Sequence, residues 1–132
     1  PLPIKPKGIV MSGKFKQSIS HNQLSDLLSG TLNRQIVSVG NKSMIKNIAW
    51  CTGGGQSFID QVAQVKNENQ TIDAFISGEI SEQTTHSAME QEIDFFAAGH
   101  HATERYGVKA VGEWLKEVHS LNVHFIDIDN PA

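Results

Sequence analysis

One cysteine, Cys51, is the only thiol in 132 residues. No internal disulfide can form, so a reducing, cytoplasmic setting is expected. No apolar run approaches the roughly 20 residues that span a bilayer, and no signal-peptide pattern is present, so no membrane partner is expected. Basic residues do not cluster. The 11 Lys and Arg stand against 14 Asp and Glu, for a formal net charge of −3, and a solvated strand face explains the one local excess, Lys5, Lys7, Lys14 and Lys16. Phosphate backbones are held by clustered Lys and Arg, so nucleic acid is not expected as the main partner. Low-complexity tracts and internal repeats are also missing. The chain lacks an initiator Met and opens Pro1-Leu2-Pro3-Ile4-Lys5-Pro6. Proline fixes φ and cannot donate to a ladder, so residues 1–7 read as a linker, and a chain that begins in a linker is expected to be a piece of a longer protein.

What is present suffices for one core: 39% of the residues are hydrophobic, enough for a single domain over residues 8–132. Residues 8–43 form a less regular entry segment. Gly8 to Phe15 reads as a strand, Ser20 and Gln23 fit a capping box, Leu24, Leu27 and Leu28 share a helical face that Gly30 is placed to end, and Gln35 to Gly40 reads as a second strand. Residues 44–132 alternate regularly. Strand-like runs at Ile45 to Thr52, Ile72 to Ser77, Ile93 to Ala98 and Val123 to Ile128 are separated by helical stretches at Ser57 to Asn67, Ser81 to Gln91 and Ala102 to Ser120. Crossovers of this length predict βαβ units and a three-layer αβα domain with a largely parallel sheet. The runs around Phe75 and Phe95 are apolar without alternation, as strands covered on both faces are.

Ligands in open α/β sheets gather beyond the carboxyl ends of the strands. Three handovers from strand to helix therefore matter: Cys51 to Ser57, Ser77 to Glu82 and Gly99 to Glu104. At the third, His100 and Glu104 are one helical turn apart and share a face, and the stripe continues through Val108, Val111 and Leu115, a side expected to pack on the sheet. Imidazole and carboxylate are a common ligand pair for Zn²⁺, Mn²⁺ or Fe²⁺. The alternative is that Thr103 or His101 caps the helix while Glu104 complements its dipole. At the first handover, Gly53, Gly54 and Gly55 can bring backbone N–H groups to an anion, although no Walker or dinucleotide pattern accompanies them and an N-cap at Ser57 also explains the loop. At the second, Glu82 and His86 are four apart, fitting a general acid or base with its orienting partner, or else an ordinary acidic helix start. Cys51 has no base beside it in sequence and reads as a packed, inert thiol. Trp50 and Trp114 read as core or interface, His119 and His124 as surface.

Four motifs carry a resemblance: Ala49-Trp50-Cys51-Thr52-Gly53-Gly54-Gly55, then Asp73 to Glu79 with His86 beyond, then Gly99-His100 with Thr103-Glu104 and Gly107, and the closing Phe125-Ile126-Asp127-Ile128 with Asn130-Pro131. In order and spacing, residues 44–132 resemble the C-terminal half of the NIF-three-like dinuclear-metal family, whose members are often labelled GTP cyclohydrolase I type 2 homologs. The resemblance implies two divalent metals per full-length subunit (Zn, Mn or Fe), with His100 and Glu104 as the ligands from this half. The remaining ligands, a His-His pair and an Asp, belong to a missing N-terminal half, so this chain alone is expected to hold metal weakly and to be inactive. A ring-shaped homohexamer is likewise implied. The reaction expected of the full-length protein is metal-dependent hydrolysis of a nucleotide-like or phosphoester substrate. The alternative is a non-catalytic metal-binding or oligomeric interaction protein. Many members have Gly-Asp shortly before the His, whereas this chain has Gly78-Glu79 and reaches His86 after a longer gap, which leaves open whether Glu79 or Glu82 faces the cleft.

Overall fold

The protein is described from a computed structural model covering residues 2–67, 70–128 and 130; Pro1 of the expected linker, and Asp129, Pro131 and Ala132 of the tail, lie outside the described residues. The elements run β1 (Met11–Ile19), α1 (His21–Leu32), β2 (Val37–Val39), β3 (Ile45–Trp50), a 3-10 turn (Gln56–Phe58), α2 (Ile59–Ala63), a short pair β4 (Lys66–Asn67) and β5 (Gln70–Thr71), β6 (Ala74–Ser77), α3 (Glu82–Glu90), β7 (Asp94–Ala97) and α4 (His100–His119). The main sheet has the order β1-β3-β6-β7-β2. Its centre, β3, β6 and β7, is parallel, and β1 and β2 close its edges antiparallel.

Burial follows the layers. Because side chains alternate along a strand, Phe75, Phe95, Ala49 and Cys51 face one side with Ile59 and Val62 of α2 and Ala88 of α3. Ala74, Ile76 and Phe96 face the other with Leu24 and Leu28 of α1. β6 and β7 are buried along their whole length, as non-alternating apolar runs require. α1 starts at the expected capping box: the Gln23 N–H donates to Ser20 Oγ at 3.2 Å and the Ser20 N–H to Gln23 Oε1 at 2.8 Å.

Several expectations are corrected. α1 does not stop at Gly30 but runs to Leu32, which extends the apolar face, and ends at Asn33 in the left-handed conformation (φ 53°). The expected helix from Ser57 shrinks to a single 3-10 turn and the five-residue α2, with Lys66–Asn67 already in a strand. Leu2 and Ile4 of the proline-rich opening are buried in the core rather than free in a linker. Val123 to Ile128 is no strand. The place beside β7 that a fourth parallel strand would take is occupied by β2. Instead the chain reverses at Ser120 in the left-handed conformation and runs back along α4. The stripe of Val108 and Val111 does not pack on the sheet: they are 63% and 57% exposed, and only Ala102 of α4 is buried. α4 touches the sheet at its first turn and then projects from it.

One polar network pins the entry segment to the parallel core. His21 at the start of α1 bonds through Nδ1 to Asp94 Oδ2 at 2.7 Å and through Nε2 to Ser38 Oγ at 2.9 Å, while the Lys42 N–H donates to Asp94 Oδ2 at 3.0 Å. Both His21 and Asp94 are buried. Truncating one partner leaves the others desolvated and unpaired. Asp94→Ala is therefore expected to lower unfolding free energy in urea by about 3 kcal/mol, whereas Met89→Ala, at an exposed position, should stay within about 0.5 kcal/mol.

Candidate metal centre

The three handover loops meet because the hydrogen-bond ladder continues past the strand ends. The Cys51 N–H donates to Ile76 O (3.0 Å), the Ala98 N–H to Ser77 O (2.7 Å), the Gly78 N–H to Gly53 O (2.9 Å) and the Gly99 N–H to Gly78 O (2.9 Å). Gly78 lies between the other two loops. A Cβ there would come within 2.6 Å of Gly53 O and 2.9 Å of the Cα atoms of Gly53 and His100, so any side chain would push the loops apart. Thr103 adds a cross-tie: its Oγ1 accepts the Gly53 N–H at 3.0 Å and donates to Gly99 O at 2.9 Å.

Three side chains converge where the loops meet. His100 Nδ1 is 2.5 Å from Glu79 Oε1, and His100 Nε2 is 3.3 Å from Glu104 Oε2. Gln56 Nε2 donates to the other oxygen of Glu79 at 3.2 Å. Gly53, at φ +61°, forms the floor, and a Cβ on it would overlap Glu104 and come within 3.0 Å of His100 Nε2. The side chains of His100, Glu79 and Glu104 are 39%, 45% and 53% exposed, so the cluster opens to solvent. The two carboxylates sit at different ring nitrogens of His100, and among the described residues no three His, Cys, Asp or Glu side chains form a group that could hold a metal ion.

The remaining residues predicted for the site divide clearly. Glu82 and His86 are exposed on α3 and make no hydrogen bond or ion pair with each other or with the cluster; the acid beside His100 is Glu79. Of the glycine loop, Gly55 N–H donates to Gly53 O at 2.9 Å and Gly53 N–H to Thr103. Two of the three loop amides are thus occupied within the fold and do not form an open anion cradle. Ser57 is no N-cap, since Gly55 takes that position without a side-chain bond, and neither Thr103 nor His101 caps α4, whose N-cap is Gly99. Cys51 is buried 3.7 Å from Ser77 Oγ, and burial pushes its thiol above its ordinary value, which suits a packed, inert sulfur. Sequence reasoning missed the role of Gln56 and the cross-tie by Thr103; three glycines at three strand ends were the available sign that these loops approach closely.

The hydrogen bond that the His100 ring donates to Glu79, joined by the charge of Glu104, raises the His100 pKa above the ordinary imidazole value, and the same bond, with Gln56 adding to it, lowers that of Glu79. The sign follows for each group. The His100 contribution is complete below the ordinary imidazole value and lost as pH rises through the raised one. That of Glu79 is complete above the ordinary carboxylate value and lost as pH falls through the depressed one. The ion pair is therefore intact between those two limits. In an NMR titration of the metal-free protein, Glu79→Gln is expected to move the His100 midpoint to lower pH.

The chain is similar to several known proteins. A "GTP cyclohydrolase 1 type 2 homolog" of Vibrio cholerae is 49% identical over 130 residues, covering 96% of this chain and 50% of the relative. The protein of the same name from Pasteurella multocida is 51% identical over 126 residues, covering 94% and 48%. Among solved structures, protein ybgI, described as of unknown function, superposes with a TM-score of 0.87 at 47% identity, over 94% of this chain and 49% of that one. The chain spans about half the length of the curated relatives it matches. The profile of one family matches residues 2–131, and the chain belongs to that family, Duf34/NIF3 (NGG1p interacting factor 3).

Proposed function

We propose that this chain contributes His100 and Glu104 to a divalent-metal site that further ligands complete, in a metal-dependent hydrolase of a phosphoester or nucleotide-like substrate. The observation carrying the proposal is the orientation of His100: Nδ1 is held by Glu79, and Nε2 is turned toward Glu104 above a glycine floor that no side chain could share. A metal-binding imidazole characteristically gives its other nitrogen to a carboxylate, which fixes the tautomer and raises ligand basicity. With Nδ1 donating to Glu79, the neutral imidazole would present its Nε2 lone pair beside Glu104, and the donor set of one imidazole and one carboxylate fits Zn²⁺, Mn²⁺ or Fe²⁺. Two ligands are too few for a closed site, in keeping with a chain about half as long as its relatives.

The residues here have separate tasks. His100 and Glu104 would hold the cation, Glu79 orients His100, Gln56 steadies Glu79, and Thr103 keeps the glycine loop against α4. Bound metal would supply Lewis acidity and a water of lowered pKa. The open mouth leaves room for a substrate oxygen beside the pair.

A second reading, a metal-binding protein whose assembly is its function, draws on a different feature. Val108, Val111, Trp114 and Val118 of α4 are each more than half exposed, an apolar face suited to self-association in a homo-oligomer. The two readings part on turnover. In a full-length protein, Mn²⁺- or Zn²⁺-dependent hydrolysis of phosphoester substrates that disappears in His100→Ala and Glu104→Ala supports the first, and metal uptake without turnover on any of them supports the second. For the metal site itself, Glu79→Gln should weaken metal affinity by about 10–100-fold in a competitive chelator titration. An unchanged affinity would remove Glu79 from the site.

A further inference from the structure

The network that ties α1 to the sheet has a second property. Its side chains stand in the order of a nucleophile, a base and an orienting carboxylate. His21 Nδ1 lies 2.7 Å from Asp94 Oδ2, and His21 Nε2 lies 2.9 Å from Ser38 Oγ. Asp94 is buried and also accepts the Lys42 N–H at 3.0 Å. A carboxylate that accepts from the ring leaves the imidazole proton on Nδ1 and the lone pair on Nε2. The Ser38 hydroxyl is then the donor to His21, which is the tautomer and the direction that activation of a hydroxyl by a base requires. The ring has little freedom to turn. It stacks on Phe96 with centroids 4.6 Å apart, and the His21 N–H donates to Lys42 O at 2.9 Å. Gly40, at φ +120°, carries the loop over Asp94, and a Cβ there would overlap the carboxylate.

Access comes from the edge of the sheet. β2 has β7 as its one neighbour in the main sheet. The Asp94 and Ala98 N–H groups donate to Asp73 O and Ser77 O on the β6 side. The alternate residues Phe95 and Ala97 therefore turn their backbone groups toward β2, where Val39 and Val37 face them. Ser38, between those two, points its own N–H and C=O away from the sheet, and among the described residues neither is paired. The residue is partly exposed. A free N–H on the nucleophile's own residue is a donor for the oxygen of an attacked carbonyl. One such donor suits esters with a good leaving group better than amides.

We infer that Ser38, His21 and Asp94 form an acyl-transfer site for activated carboxylic esters, with Ser38 as nucleophile, His21 as base and Asp94 as positioning residue. Ser38 Oγ bonds to the acyl carbon while its proton passes to His21 Nε2. The bond from that carbon to the leaving alcohol breaks, and the alcohol takes the proton from Nε2. Water then attacks the acyl group, gives a proton to Nε2 and releases the carboxylic acid, and Ser38 Oγ recovers the proton. Asp94 opens β7, whereas His100 follows its far end, so the site uses none of the residues of the metal reading and stands or falls without it.

Reaction of the intact chain with an alkyl fluorophosphonate, read by peptide mass spectrometry, tests the inference, since Ser38 Oγ would bond to phosphorus as fluoride leaves. Expected are a single adduct mapped to Ser38 and saturable hydrolysis of p-nitrophenyl acetate that Ser38→Ala lowers about 100-fold. His21→Gln should slow adduct formation by about the same factor. Asp94→Asn keeps the shape of the side chain and carries the test if His21→Gln fails to fold. It should lower the maximal labelling rate and leave the half-saturating probe concentration unchanged, because the probe does not touch Asp94. An unreacted Ser38 in the wild-type chain overturns the site without recourse to any variant. Labelling of Ser38 at the wild-type rate in folded His21→Gln or Asp94→Asn, or ester hydrolysis undiminished in Ser38→Ala, overturns it as well.

Discussion

The site depends on one close approach, that of the Gly78 backbone to Gly53 on one side and to His100 on the other. Two backbone hydrogen bonds through Gly78 extend the parallel ladder beyond its last strand residues, and the space that a Cβ would need is filled by backbone. Strand spacing in a sheet is set at just under about 5 Å, so loops that continue the ladder inherit that separation. Side chains leaving three successive loops are thereby brought within contact of one another. Glu79, His100 and the floor at Gly53 are neighbours because the sheet has not yet ended where they begin.

A division of labour along α4 follows from this. Its first turn is fixed by the ladder and by Thr103, and His100 and Glu104 are rigidly placed as a result. Beyond that turn the helix leaves the sheet, and it meets its own returning tail, solvent and, through the Tyr106 hydroxyl at 3.5 Å from Thr31 O, the end of α1. Under the metal site proposed above, this anchored root would present His100 and Glu104 to a cation, while the shaft carries exposed apolar side chains at Val108, Val111, Trp114 and Val118. The relatives in its family are about twice as long as the chain.

Much of this was legible in the residues. Non-alternating apolar runs around Phe75 and Phe95 marked the buried strands, the Ser20 and Gln23 pair marked the start of α1, and the spacing of His100 and Glu104 placed both on one helical face. The failures have physical causes. Val123 to Ile128 has the composition of a strand, but β2 already occupies the sheet edge it would need, a fact of tertiary competition that no local window contains. The stripe through Val108 and Val111 is a proper amphipathic pattern whose partner is not the sheet. Glu82 and His86 satisfied a spacing rule, yet the acid that reaches His100 is Glu79, delivered by a loop rather than by helical periodicity. The network of His21, Ser38 and Asp94 joins residues up to 73 positions apart, and sequence spacing holds no sign of such a pairing.

The departure of α4 from the sheet also shapes its local stability. Amides in its first turn share the protection of the strands that anchor them, while those past Tyr106, whose hydroxyl still reaches Thr31 O of α1, rely on the helical ladder and the tail. Opening of the distal turns exposes little new apolar surface and needs no rupture of the core. In the isolated chain, deuterium uptake should therefore rise along α4 from its root outward, and the helix can fray from its far end while His100 keeps its position.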